Sequence, residues 1–129
     1  MGGLPVTSCL VAGLLILLVV LSALVTARRA RLGGIEFGDA GDADLRARIR
    51  AHANLVEIAP MVVIAVALME QTGAGSQLLW GFAAVFLAGR CLHAARMYLG
   101  NPFTGLFSIL SQHVICLWAA GWLLHRFLF

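Results

Sequence analysis

The sequence contains no lysine and few charged residues of any kind. Its 129 residues are 12% charged and 61% hydrophobic, whereas an ordinary globular domain is about 25% charged and about 45–50% apolar. A soluble globular domain is therefore disfavoured. No basic stretch alternates with aromatic residues, so a groove for nucleic acid is not expected. The net charge of +3 owes its positive part to arginine alone and suits a membrane surface.

Cysteine is also scarce. The three cysteines, Cys9, Cys91 and Cys116, are far apart and lie in apolar segments. They form no C-x-x-C pair, which argues against a structural zinc site or a disulfide framework. We expect them to be small buried hydrophobic side chains. The histidines show no H-x-x-E or H-x-x-x-H spacing, so no metal is predicted.

Four long apolar segments account for most of the chain. We place the spans at about residues 4–27, 50–69, 77–97 and 103–124. A helix of about 20 residues crosses a bilayer. Gln71 to Ser76 is a turn rich in small residues, and Gly100-Asn101-Pro102 breaks the chain before the last span. No linker divides the sequence, so residues 1–129 are predicted to form one all-α membrane domain of four transmembrane helices.

Arginine placement predicts how these spans are oriented. Six arginines lie from Arg28 to Arg50, and Arg96 flanks the third connection, whereas the second connection has none. Short cytoplasmic connections carry an excess of arginine and lysine. We therefore expect the first and third connections to face the cytoplasm and both termini to face the other side.

The second and third spans reach their required length only by including polar residues. Twelve uncharged residues separate Glu57 from Glu70, so a full span must reach back to roughly Ala51. The third span has twelve uncharged residues before Arg90 and must continue to about Met97. Both polar ends fall at the same membrane face, and ionisable groups at such depth are costly and usually functional. The residues concerned are Arg50, His52, Asn54, Glu57, Arg90 and His93.

Helical geometry divides the polar residues of the second span between two faces. A helix advances about 100° per residue, so Arg50, Asn54 and Glu57 fall within about 60° of one another. His52 lies about 200° from Arg50, on the opposite face. A symmetric oligomer would give both faces protein neighbours.

This combination of side chains suits a small zwitterionic ligand. Arginine forms forked bonds to a carboxylate, glutamate can hold an ammonium group, and asparagine both donates and accepts. The residues alone leave two alternatives open. One is an internal arginine–glutamate–asparagine network that only ties helices together, and the other is a small transporter subunit that uses Glu57 as a coupling carboxylate.

The stretch from Arg50 to Pro60, R-A-H-A-N-L-V-E-I-A-P, resembles the second-helix motif R-x-[HQ]-x-N-x-x-E-x-x-P of the MAPEG family. These are membrane-associated proteins in eicosanoid and glutathione metabolism. The Gly38-Asp39 loop and the stretch from Gly89 to His93 resemble the small bacterial branch. The resemblance covers nearly the whole chain. It implies a homotrimer of four-helix protomers in a bacterial inner membrane, surrounded by lipid, with glutathione bound between protomers near the cytoplasmic face.

The resemblance also implies roles for individual residues. The implied glutathione-binding residues are Arg50, His52, Asn54, Glu57, His93 and Arg29. His52 would face the site of the neighbouring protomer, and Arg28, Arg29 and Arg31 are the candidates for a contact from the end of the first span. Well-studied enzymes of the family open the fourth helix with an arginine that stabilises the glutathione thiolate. Here Asn101 to Thr104 holds none, so Arg90 and Arg28 are the catalytic candidates.

The function implied is that of a glutathione S-transferase or peroxidase acting on lipophilic electrophiles. Glutathione would be the cosubstrate, and no metal would take part. Because the opening of the fourth span departs from the family pattern, a non-catalytic member with a ligand-binding or structural role is the alternative.

Overall fold

The chain folds into four long helices. The computed structural model describes residues 3–99 and 102–129, which form α1 (Pro5–Arg31), α2 (Ala43–Gln71), α3 (Ser76–Leu99) and α4 (Pro102–Leu128). All four are long and apolar enough to cross a membrane, and no strand occurs within these described ranges. The predicted all-α, four-span architecture is confirmed. The predicted break at Gly100 and Asn101 lies outside the described residues.

The second helix begins well before the apolar part of its span. Asp42 caps its N-terminus, because the Asp42 carboxylate accepts a hydrogen bond from the Leu45 N–H at 2.6 Å. The same carboxylate binds the guanidinium of Arg28, with Nη2 and Oδ2 2.7 Å apart. These two donors hold the pKa of Asp42 below its usual range. The end of α1 and the start of α2 are thus joined through one cap residue.

A second carboxylate joins the same two helices at their other ends. Leu4, which precedes α1, provides no side-chain cap. Instead, Glu70 from the last turn of α2 accepts hydrogen bonds from the backbone N–H groups of Val6 and Thr7, both at 2.9 Å, and from the Thr7 hydroxyl at 2.7 Å. A negative charge at a helix N-terminus is also favoured by the helix dipole. Glu70 therefore fixes the register of α1 against α2.

Replacing Glu70 by alanine, which removes both acceptor oxygens, should lower the free energy of unfolding by about 1–2 kcal/mol, because a helix cap contributes about 0.5–2 kcal/mol. Reversible unfolding in detergent, followed by circular dichroism, measures this change. Gln71→Ala is the matched control, since Gln71 is an exposed neighbour. Equal stability of Glu70→Ala and the wild-type protein would show that the cap contributes nothing.

The helices pack through narrow apolar stripes. The buried side chains of α1 are Val6, Thr7, Leu10, Leu14 and Leu21, and most are spaced by four or seven residues, which places them on one face of a helix. The α2 and α3 faces that meet them are equally apolar, with Val66 and Phe86 each only 1% exposed. Much of the remaining surface consists of exposed large hydrophobic side chains, including Ile16 and Leu117. Such an outward apolar surface is suited to lipid or to other protomers.

The prediction that the cysteines are buried is wrong. Cys9, Cys91 and Cys116 are all exposed in the single chain. A bilayer surrounds membrane helices with hydrocarbon, so a small apolar side chain is tolerated on the outer face as well as in the core. Apolar sequence context therefore does not predict burial in this fold.

Candidate functional site

A small polar pocket lies between α2 and α3, at the end of the bundle that carries the first and third connections. Its volume is about 80 Å³. The lining residues are Arg50, Ala53, Asn54 and Glu57 from α2 and His93 and Met97 from α3. The helical period brings the three polar residues of α2 to one face, and α3 adds its imidazole at the same depth. Four of the residues selected from the sequence therefore share one pocket.

The polar groups of this pocket are available to a ligand. Within the described ranges, neither Arg50 nor Glu57 forms an ion pair, and both side chains are exposed. His93 is only 8% exposed, and its Nδ1 has no hydrogen-bond partner among the described residues. Buried polar atoms are nearly always hydrogen-bonded in native proteins, and an exception needs an explanation. The predicted arginine–glutamate–asparagine network is thus only partly present among the described residues: Arg90 bonds to Asn54, but Glu57 takes no part.

Arg90 lies behind the pocket and does not line it. It is 3% exposed, and its Nη1 donates a hydrogen bond to Oδ1 of Asn54. Its Nη2 lies 3.2 Å from the Ser108 hydroxyl and 3.3 Å from the Ser108 carbonyl oxygen. The Phe86 ring lies 5.4 Å from the guanidinium. Arg90 thus connects α3 to both α2 and α4.

A close contact between α3 and α4 makes this arrangement possible. The Ser108 hydroxyl donates a hydrogen bond to the Gly89 carbonyl at 2.8 Å. A Cβ atom at Gly89 would lie 2.9 Å from Oγ of Ser111, so a side chain there would force the Ser111 hydroxyl to move. The absence of a side chain at Gly89 therefore leaves room for the Ser111 side chain of α4 next to Arg90.

A second polar pocket lies on the opposite face of α2, against α1. Its volume is about 220 Å³, and it is lined by Ser22, Val25, Thr26, Arg29, Ile49 and His52. His52 therefore points away from the Arg50–Glu57 pocket, in keeping with its helical angle. Arg29 also donates from Nη1 to the carbonyl oxygens of Ile35 and Glu36, at 2.9 and 2.6 Å.

An apolar groove continues from this second pocket along α1 and α2. His52 and Thr26 also line a wider groove of about 770 Å³. That groove shares Leu18 and Val56 with an apolar cavity of about 270 Å³, which reaches Pro60. The surface between α1 and α2 thus changes from polar to apolar along the length of the spans.

Arg28 and Arg31 lie apart from both polar pockets. Arg28 is held by Asp42, as described above, and by Asp44, with Nε and Oδ2 3.2 Å apart. Arg31 is exposed at the last residue of α1. The structure thus gives Arg28 a partner in the connection between α1 and α2 and does not place it beside Arg50 or Glu57.

Two contacts between helices are absent from the sequence-based prediction. The bond between Arg90 and Ser108 joins residues on separate helices, and the cap that Glu70 provides joins the two ends of a helical hairpin. The only available signal is general: a buried arginine needs acceptors, and an uncapped helix N-terminus needs an acceptor too. Neither rule identifies the partner.

Known proteins that resemble this chain are membrane proteins. The family model described as "MAPEG family" matches residues 6–125 of this chain. The chain is similar to inner membrane protein YecN of Escherichia coli K12 and of Escherichia coli O6:H1 strain CFT073, with 36% identity over 59 residues in each case. The aligned region covers 46% of this chain and 45% of each relative, so it spans less than half of those proteins. No solved structure gives a significant match.

Proposed function

Because this chain belongs to the MAPEG family, as the motif in its second helix predicts, we propose that it binds glutathione and transfers it to lipophilic electrophiles. The observation that carries the proposal is the pocket in which Arg50, Glu57 and the Nδ1 atom of His93 have no partner among the described residues. The chain is an integral membrane protein, and the name of its E. coli relatives supports an inner-membrane location. The arginine distribution supports a cytoplasmic position for the pocket.

The lining residues match both signs of charge on glutathione. Glutathione is a tripeptide with two carboxylates, one ammonium group and one thiol. Arg50 offers the forked donor that a carboxylate prefers, Glu57 offers a carboxylate for the ammonium group, and His93 offers a ring nitrogen. A ligand with charge of one sign only would leave either Arg50 or Glu57 without a counterpart.

The site is incomplete in one chain, which supports an oligomer, and the family resemblance favours a homotrimer. A pocket of about 80 Å³ is well below the range of about 300–1,000 Å³ typical of small-molecule sites. The pocket lined by Arg29 and His52 lies on the opposite face of α2. When two different faces of a protomer meet, the interface is heterologous, and it closes into a ring where the rotation between protomers allows it. In such a ring, Arg29 and His52 of one protomer complete the Arg50–Glu57 pocket of the next.

The proposed reaction uses the sulfur of glutathione as the nucleophile. A cationic side chain near a thiol favours the thiolate, which is the reactive form. The thiolate forms a bond to the electrophilic carbon, and the leaving group departs with the bonding electron pair, while the thiol proton passes to solvent. Arg50 lines the pocket, and Arg29 reaches it from the next protomer in the proposed ring. Arg28 and Arg90, the catalytic candidates from the sequence, do not line the pocket and are held by protein side chains.

The electrophile would enter from the bilayer. The apolar cavity between α1 and α2 is lined by aliphatic side chains and Pro60, and its groove continues to His52. A lipophilic molecule in this groove would have its reactive end near the proposed glutathione site.

A non-catalytic glutathione-binding protein is the second candidate. It is favoured by one observation, namely that Arg28 and Arg90 are both occupied by contacts within the protein. Binding and catalysis therefore need separate measurements.

Purified protein in detergent should be stabilised by glutathione. At a ligand concentration of about 100 times Kd, binding to the folded state adds about 2.7 kcal/mol, which raises the unfolding temperature. An analogue with a methyl group in place of the thiol should stabilise the protein similarly, because its charged groups are unchanged. Conjugation of glutathione to an aryl halide then separates an enzyme from a binding protein. No thermal shift at millimolar glutathione would contradict the proposal.

A further inference from the structure

We propose that Arg90 is a positioning residue that fixes the side-chain amide of Asn54, so that the pocket presents the Asn54 NH₂ group and selects a hydrogen-bond acceptor on the ligand. This inference rests on the proposed function, because the pocket is the proposed glutathione site. It gives Arg90 a role behind the site, different from the thiolate contact that the sequence suggests.

The orientation of Asn54 follows from the chemistry of arginine. A guanidinium has five N–H donors and no acceptor, so Arg90 can bond to Asn54 only through the amide oxygen, as it does. The NH₂ group of the same amide must then point away from Arg90. Because Asn54 lines the pocket beside Arg50 and Glu57, its two N–H donors are directed to the ligand side.

Arg90 is itself held in place by α4. Its Nη2 bonds to the hydroxyl and to the carbonyl oxygen of Ser108, and that hydroxyl is fixed by its own bond to the Gly89 carbonyl. Ser108 is fully buried. The guanidinium therefore has few alternative orientations, and the position of Asn54 depends on a residue of a helix that does not line the pocket.

The charge of Arg90 has no counterion among the described residues. Its polar contacts there are an amide, a hydroxyl and a backbone carbonyl, and its Nε has no partner. A buried cation without an anion is costly, and a neutral side chain would suffice to tie helices together. The positively charged guanidinium that donates to the Asn54 oxygen also polarises the amide and makes its N–H groups stronger donors. The acceptor that this position favours is therefore an anionic one, such as a carboxylate oxygen of the ligand.

Asn54→Asp is the direct test. The aspartate keeps an oxygen for Arg90 and gives it a counterion, but it replaces the NH₂ group with a second oxygen. We expect the Kd for glutathione, measured by calorimetry in detergent, to rise at least tenfold, while the unfolding temperature is kept or raised. Wild-type affinity in Asn54→Asp would overturn the proposed donor role.

Ser108→Ala and Ser111→Ala form a matched pair that tests the remote part of the inference. Ser108 contacts Arg90, whereas Ser111 bonds only to the Ser108 carbonyl at 3.1 Å among the described residues. We expect Ser108→Ala to weaken glutathione binding several-fold and Ser111→Ala to leave it unchanged. The effect of Ser108→Ala should also disappear in an Asn54→Ala background. Additive effects in that cycle would show that Ser108 and Arg90 do not act through Asn54.

Nuclear magnetic resonance spectra of the ligand-free protein test the positioning role of Arg90 independently of glutathione binding. With ¹⁵N-labelled asparagine, the side-chain NH₂ signals of Asn54 should shift in Arg90→Lys, because lysine keeps the charge and loses the planar fork of donors. The same signals should shift in Ser108→Ala but not in Ser111→Ala. Unchanged signals in Arg90→Lys would overturn the positioning role. If the wild-type protein failed to bind glutathione while these shifts occurred, the proposed function would fall and the positioning role would stand.

Discussion

Replacement of Glu57 by glutamine should weaken glutathione binding by about 10- to 100-fold, which corresponds to the loss of one charge-assisted hydrogen bond. Glutamine has nearly the same shape and keeps one oxygen, so the change removes the charge and little else. Because Glu57 is exposed and has no ion-pair partner in the described ranges, the substitution should leave the folded protein intact. Calorimetry in detergent measures the change in Kd.

A modified ligand identifies the group that Glu57 holds. Glutathione acetylated on its amine lacks the ammonium charge, so the wild-type protein should bind it as weakly as Glu57→Gln binds glutathione. The Glu57→Gln variant should bind both ligands alike. Glu36→Gln, which removes an exposed carboxylate from the connection between α1 and α2, is the control and should behave as wild type. If Glu57→Gln kept a full preference for the free amine, another group would hold the ammonium.

The Kd of Arg50→Ala for glutathione, measured by the same calorimetry, tests the positively charged side of the pocket. The guanidinium of Arg50 should form a forked pair of hydrogen bonds to a carboxylate of the ligand. Esterification of the ligand's carboxylates should therefore weaken binding to the wild-type protein by part of the amount that Arg50→Ala weakens binding of glutathione. Because Arg50 and Glu57 line one pocket, the double variant Arg50→Ala with Glu57→Gln measures how strongly the two residues are coupled through the ligand. Wild-type affinity in both single variants would show that glutathione does not bind in this pocket.

The position of the site could be predicted because it depends on local periodicity. The spacing of Arg50, Asn54 and Glu57 fixes a shared face for any straight helix, and the length that a span requires fixes their depth. His93 follows from the same length requirement applied to α3. These features need no knowledge of how the helices are rotated about their axes.

The remaining contacts depend on helix packing and could not be predicted. The rotation of α4 against α3 decides that Ser108 meets Arg90, and the close approach at Gly89 sets the distance. The pairing of α1 with α2 decides that Glu70 reaches the N-terminus of α1. Arg28 looked available from the sequence because its partner Asp42 lies in a connection without a strong pattern.

The transporter alternative finds little support in the fold. Transporters commonly bind their substrates at interrupted helices near the middle of the membrane. Here α2 is continuous from Ala43 to Gln71, even through Pro60. Glu57 lines a pocket of about 80 Å³ beside Arg50, an arrangement that suits a held ligand better than a conduction path.

Mixed trimers should recover glutathione binding that each parent variant lacks. One parent carries Glu57→Gln, and the other carries Arg29→Gln with His52→Ala. In the proposed ring, each site combines the Glu57 face of one protomer with the Arg29–His52 face of the next. Random assembly from equal amounts of the two parents then restores about one site in four to the wild-type composition. Purification through one tag on each parent removes the trimers made of a single parent, and each remaining mixed ring has one site of wild-type composition, so calorimetry should show about one tight site in three.

A second mixture is the negative control for complementation between the two faces. Glu57→Gln and Arg50→Ala alter the same pocket, so every interface formed from these two parents contains a damaged pocket, and no tight site should appear. Recovery in the first mixture and none in the second requires the two faces of α2 to act together across a protomer boundary. No recovery in either mixture would mean that Arg29 and His52 do not complete the pocket of a neighbour, because an undamaged interface would then have formed without restoring binding.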